Sequence, residues 1–226
     1  MTTPGPDLLR RLGYLVANPR EDLEVELKGW LDLQDANQAG NLAKSIIALA
    51  NHGGGFVLIG FSKTKSGIQP DPNRPSSIAG YDNDAVNSIV QKYAEPTFHC
   101  SVQAVTPEGG GPPHPIIIVP GGHKAPIRSK RESPDGKSIK INVYYIRRPG
   151  PASESPQSGR EWDELVRRCI VNARDELVEA VRIVFLAAAG APFGQLLGNA
   201  GASKSLEKEL DDWIDESEDA YRKKDH

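Results

Sequence analysis

The sequence predicts an α+β protein, with a mixed β-sheet flanked by helices and a C-terminal helical extension. Three observations carry that prediction. Two short continuous apolar runs, Phe56 to Phe61 and Ile116 to Val119, have the length of buried strands. Residues 37–52 and 83–94 repeat their apolar positions at helical spacing. A longer helical stripe runs over 161–189.

Taken in order, residues 7–16 (DLLRRLGYLV) read as a short amphipathic helix. Over 23–33, Leu23, Val25 and Leu27 alternate with Glu24, Glu26 and Lys28, the pattern of a strand with one ionic face. In 37–52, Leu42, Ile46, Leu49 and Ala50 share one helical face, and Gly53 and Gly54 suit its left-handed end. Residues 62–80 are polar and Pro-rich and read as loop. Asp82 is placed to cap a helix over 83–94, whose buried face is Val86, Ile89, Val90 and Tyr93, with Pro96 ending it. A strand over 97–105 turns Phe98, Cys100, Val102 and Ala104 inward. Residues 121–138 form a basic loop, 139–147 (IKINVYYIR) a further strand and 149–159 a linker.

The helix over 161–189 carries Trp162, Leu165, Val166, Cys169, Ala173, Leu177, Val181 and Val184 on one stripe. Its last turns are apolar most of the way round, which argues for burial against another surface, such as a second subunit. A final acidic helix over 205–221 has Leu206, Leu210, Trp213 and Ile214 as its apolar stripe. The expected organisation is a helical arm over 1–19, a main domain over 20–160, and C-terminal helices over 161–226 for packing or dimerisation.

At 226 residues the chain is long enough to bury a core without staples. It has no apolar run of 18 residues to span a membrane and no signal-peptide pattern at its N-terminus. Cys100 and Cys169 lack a CxxC partner and read as reduced core residues, so the expected setting is cytoplasmic. The net charge of −3 hides an asymmetry. Between His123 and Arg148, eight Lys and Arg face two acids, whereas between Glu207 and Asp225 nine acids face four bases.

The segment NHGGGFVLIG at 51–60 raises the question of phosphate binding. A phosphate-binding loop runs from strand through glycines into a helix N-terminus. Here helix leads through glycines into strand, so the turn meets the negative end of the helix dipole. No Gly-Lys-Ser/Thr follows, and no nucleotide cofactor is expected. Asn51, His52, Gly53 and Gly54 are read as the turn beside the site, with Asn51 fixing it through its amide. His52 either donates to a carbonyl or faces a phosphate or metal. His99, His114 and His123 show no zinc-ligand spacing.

On a strand, Glu24, Glu26 and Lys28 share one face, and Glu21 stands at the strand entrance. Carboxylates beside a lysine are the means by which metal-dependent nucleases hold Mg²⁺ or Mn²⁺ and stabilise phosphate charge. The same spacing also describes a charged, solvent-facing strand edge. Lys124, Arg128, Lys130, Arg131, Lys137, Lys140, Arg147 and Arg148 are placed to track a phosphate backbone, or to form a solvated basic loop. Of Tyr144 and Tyr145, one must face the core and the other is free to stack on a base.

Several spaced blocks together resemble a known family. Glu21, then Glu26-Leu27-Lys28, then IIALANHGGGFVLIGF at 46–61, HPIIIV at 114–119 and VYYIRRPG at 143–150 are similar to the Schlafen-type AlbA domain. The resemblance covers about residues 20–170. It implies an AlbA-like fold, a nucleic-acid partner (RNA or DNA), and a metal-dependent endoribonuclease acting through two glutamates and an aspartate. Matched to that motif, Glu21, Glu26 and Lys28 are the candidate catalytic residues, with Glu21 and Glu26 as metal ligands for Mg²⁺ or Mn²⁺ if the nuclease is active. Lys124, Arg128, Lys130, Arg131, Lys140, Tyr145, Arg147 and Arg148 are the candidate nucleic-acid-binding residues. The family's third acid would fall just after Phe61, where this chain has Ser62, Lys63 and Thr64. The acidic set is therefore incomplete, and two readings stand: a nuclease, or an inactive nucleic-acid-sensing or dimerisation module of a regulatory or anti-phage defence system. A homodimer completing the groove is expected in either case.

Overall fold

The computed structural model describes residues 5–150 and 152–188. By its internal contacts the chain divides into Met1–Asn172 and Ala173–His226. The elements, in chain order, are α1 (Pro6–Ala17), β1 (Val25–Lys28), α2 (Ala36–His52), β2 (Gly55–Ile59), β3 (Phe61–Thr64), β4 (Gly67–Pro70), α3 (Asn83–Tyr93), β5 (Ala94–Glu95), β6 (Ser101–Val105), β7 (His114–Val119), β8 (Arg128–Ser129), β9 (Ile146–Arg148), β10 (Ala152–Glu154) and α4 (Gly159–Ala188). Of the second unit, the described part is the continuation of α4; the expected helix over 205–221 lies outside the described residues.

The fold is α+β around a four-stranded mixed sheet in the order β1-β2-β7-β6. β1 runs parallel to β2 through the crossover helix α2, while β7 is antiparallel to both β2 and β6. Strand alternation divides the core in two. Val57, Ile59, Ile117 and Val119 face α2 and α3, packing with Leu42, Ile46, Leu49, Val86 and Val90. Val25, Leu27, Phe56, Leu58 and Ile116 face the other way, against Leu12, Leu15 and Val16 of α1. Asp35 accepts from the backbone N–H groups of Asn37 and Gln38 to start α2, and Asp82 accepts from that of Ala85 to start α3.

The helix-to-strand glycines act as a close-packing device. The N–H groups of Gly53 and Gly54 close α2 by donating to the carbonyls of Leu49 and Ala50. Gly54 has φ +99°, and a Cβ there would sit 2.8 Å from the backbone nitrogen of Gly121.

Several elements are shorter than the sequence predicts. The strand expected over 23–33 ends at Lys28, because Trp30 turns away to hydrogen-bond Asp71 through both its backbone and indole nitrogens at 3.1 Å. The apolar run from Phe56 to Phe61 is two strands, bent at Gly60 (φ +93°). The polar stretch 62–80 contains all of the β3–β4 hairpin except Phe61, and the turn is closed by Thr64 Oγ1 on the Gly67 carbonyl. β6 begins only at Ser101, with Val105 in the α1 core and Ala104 exposed. Most of 139–147 is not strand. Ser129 and Ser133 take up the backbone groups of 139–143 that a sheet partner would otherwise use.

Candidate nucleic-acid interface and the acidic edge of the sheet

β1 is an edge strand, so the outward half of its backbone needs other partners. Asp22 Oδ1 accepts from the Val25 N–H at 2.9 Å, and Glu21 Oε1 from the Leu27 N–H at 3.3 Å. Arg147 Nη2 donates to the Val25 carbonyl at 3.1 Å and to the Asp22 carbonyl at 2.6 Å. Glu21 therefore serves this edge, and its second oxygen is ion-paired with Lys63 of β3.

Glu26 points to the other side of β1, toward α2. Its Oε2 is ion-paired with Arg147 Nη1, and its Oε1 accepts from Lys28 Nζ at 2.9 Å and from Ser45 Oγ at 3.0 Å. The Glu26 side chain is 9% exposed and that of Arg147 0%. Burial pushes the Glu26 carboxyl upward, but Lys28 and then Arg147 outweigh it and hold its pKa below the ordinary value.

This donor set does not fit a divalent cation. Both Glu26 oxygens are engaged by cations, and the outer oxygen of Glu21 is engaged by Lys63. Mg²⁺ or Mn²⁺ would have to displace three positive side chains and then sit beside them. Among the described residues, no group of three His, Cys, Asp or Glu side chains is assembled to hold a metal. Just after Phe61, where a third acid is expected, stand Ser62, Lys63 and Thr64, and Lys63 is the partner of Glu21.

Asn51 is buried and reaches beyond its own turn. Its amide nitrogen donates to the carbonyls of Ile127 (2.7 Å) and Tyr145 (2.9 Å), and its oxygen accepts from the Ile127 N–H at 2.8 Å. It thereby fixes both ends of the basic segment. His52 lines a pocket of about 260 Å³ with Arg11, Glu24, Gly53, Gly54 and Phe56. Burial and then Arg168 lower its pKa, so it is neutral at pH 7.

The basic candidates separate into three groups. Arg147 and Tyr145 are inside, which corrects their expected place on the binding surface: Arg147 is held as described, and the Tyr145 hydroxyl accepts from the Lys140 N–H at 2.8 Å. Neither offers a face to a ligand. Tyr144, not Tyr145, is the half-buried tyrosine, edge-on to Trp162 at 5.3 Å. Arg128 is tied to Glu95 at 2.6 Å, and Arg148 to Glu154 at 2.8 Å and Glu161 at 2.7 Å. Lys124 is exposed and engaged with neighbouring groups.

The third group is Lys130, Arg131, Lys137 and Lys140, all exposed and without an ion-pair partner among the described residues. Their loop is stiffly built. Ile139 plugs it into the core with no exposed surface, and Ser133 bonds both the N–H and the carbonyl of Ile139. Asp135 takes the hydroxyls of Ser133 and Ser138 and the N–H groups of Lys137 and Ser138. Those bonds, the Ser133 hydroxyl first, lower the Asp135 pKa. The only other acid in this loop is Glu132.

Residues 21–152 match the family described as Schlafen, AlbA_2, and the chain belongs to that family. No curated protein matches the chain. Among solved structures, it is similar to the N-terminal domain of a RecG-related protein from Nitrosomonas europaea, determined by NMR, at 20% identity. The likeness covers 67% of this chain and 91% of that one, with a TM-score of 0.34. Among the described residues, no helix is long and apolar enough to cross a membrane.

Proposed function

We propose that this chain is a nucleic-acid-binding domain, with RNA as its first ligand class, and that it binds without a divalent metal. The observation that carries this reading is the loop after β8. It presents Lys130, Arg131, Lys137 and Lys140, unpaired among the described residues, on a frame that Ile139, Ser129 and Ser133 hold in place. Cations carried on a backbone that is already fixed bind a phosphate backbone without the cost of ordering the loop. Family membership supports the same reading.

The lysine and arginine partners of Glu21 and Glu26 support binding over hydrolysis. These glutamates stabilise the sheet edge, and Lys63 and Lys28 beside them favour an approaching phosphate. A gel with a tRNA mixture tests this directly. The expected result is a salt-sensitive retarded band in EDTA and intact tRNA in Mn²⁺ or Mg²⁺. Metal-dependent cleavage that is lost in Glu26→Ala favours the endoribonuclease reading instead.

Self-association is part of the proposal. Ile170, Leu177 and Val184 on α4 are each more than 60% exposed, an unusual surface for a chain that works alone. Light scattering is expected to give twice the monomer mass; a monomer at high concentration contradicts this part.

A further inference from the structure

We infer that Lys44, with Asn41 and Lys28, forms a seat for one backbone phosphate of the bound nucleic acid, beside the edge of β1. The inference rests on the nucleic-acid-binding reading and adds a second contact point, built on α2 and β1 instead of the basic loop.

Asn41, Lys44 and Ser45 are spaced i, i+3 and i+4 on α2, so they lie on one face. Ser45 reaches Glu26, and Asn41 Oδ1 accepts from Lys28 Nζ at 2.7 Å, so this face is turned toward the ionic side of β1. Lys28 and Arg147 ion-pair with Glu26, and Lys44 stands within electrostatic range of the same carboxylate and of Lys28. The other acids that act on Lys44 are committed elsewhere: Glu154 pairs with Arg148, and Asp135 is enclosed by its serines. The cluster is left with an excess of positive charge.

The donors match that excess. Lys44 is half-buried, and its ammonium makes no ion pair or hydrogen bond among the described residues. Lys28 spends two of its three N–H groups, on Glu26 and Asn41. The amide nitrogen of Asn41 makes no hydrogen bond among the described residues. A tetrahedral phosphate accepts from all three kinds of donor at once and supplies the missing negative charge. Burial and the neighbouring Lys28 both disfavour the Lys44 charge in the free protein, a penalty that an anion relieves.

The test is the affinity of a fluorescein-labelled RNA hairpin across a KCl series, for wild type, Lys44→Gln, Lys44→Arg and a Lys130→Gln/Arg131→Gln pair. Lys44→Gln is expected to bind about tenfold more weakly at low salt, with the log–log salt slope reduced by about 0.9. Lys44→Arg is expected to restore both. Because Lys44 has no ion-pair or hydrogen-bond partner to lose among the described residues, Lys44→Gln is expected to melt no lower than wild type. Inorganic phosphate, at ionic strength matched with chloride, is expected to raise the melting temperature of wild type and not of Lys44→Gln. If Lys44→Gln keeps wild-type affinity and slope while the loop pair loses both, the seat is wrong and the binding domain stands. If wild type itself does not bind, both fall.

Discussion

Arg147, in β9, and Glu26, in β1, form a buried ion pair across 121 positions of sequence. The pair joins the last short hairpin of the domain to the edge of its main sheet, and Arg147 also ties the Asp22 and Val25 carbonyls. Removing one partner strands a buried charge. Arg147→Met is therefore expected to cost about 3–5 kcal/mol in a urea melt. Glu26→Gln, which keeps the shape, is expected to cost less, and the double variant less than the sum of the two. Full additivity would show that the pair is not coupled.

Asn51 makes three hydrogen bonds to backbone groups of Ile127 and Tyr145. Asn51→Ala is expected to destabilise the domain by about 2–4 kcal/mol. It should also accelerate amide exchange at Ile127, whose N–H loses its acceptor. Unchanged exchange there would remove Asn51 from its role as anchor of the basic segment.

Stability is expected to fall with acid in two stages. His52, His114 and His123 have folded pKa values lowered mainly by burial, so below about pH 6.5 the unfolded chain takes up protons first and stability declines as pH falls. The folded pKa of Glu26 is also lowered, so its contribution is present above the unfolded value and lost as pH drops through the folded one. His52→Gln should flatten the upper stage in part, and Glu26→Gln the lower stage. Melting temperatures across pH 3 to 8 (roughly the span of the reference values) check both.

Glu21 and Glu26 are balanced by Lys63, Lys28 and Arg147. Millimolar MgCl₂ or MnCl₂ is thus expected to shift the melting temperature no more than NaCl of equal ionic strength. A saturable shift specific to Mn²⁺ and absent in Glu26→Gln would contradict this.

The fold is legible wherever local pattern and burial agree. Leu42, Ile46 and Leu49 announce α2, and Asp82 announces the start of α3. Reading fails where side chains replace backbone partners. The hydroxyls of Ser129 and Ser133 dismantle the strand expected over 139–147, and no periodicity reports that. At the site, the strand alternation places Glu26 and Lys28 on one face correctly. Arg147 and Lys63 were legible as charges but not as counter-ions, because their partners lie 121 and 42 positions away, as numbered in the chain. Of the tyrosine pair, the rule that one must be buried holds, but which one depends on Asn51 gripping the Tyr145 carbonyl. Ser45 and Asn41 carry no signal a single sequence exposes.

The most direct measurement is RNA-hairpin affinity in EDTA for wild type and for a variant with Lys130, Arg131, Lys137 and Lys140 all changed to Gln. The account predicts salt-sensitive binding by wild type without metal, and a slope lower by about 3 to 4 units in the folded variant. Equal affinity and slope for the two proteins, or binding that appears only with Mg²⁺ or Mn²⁺, would contradict it.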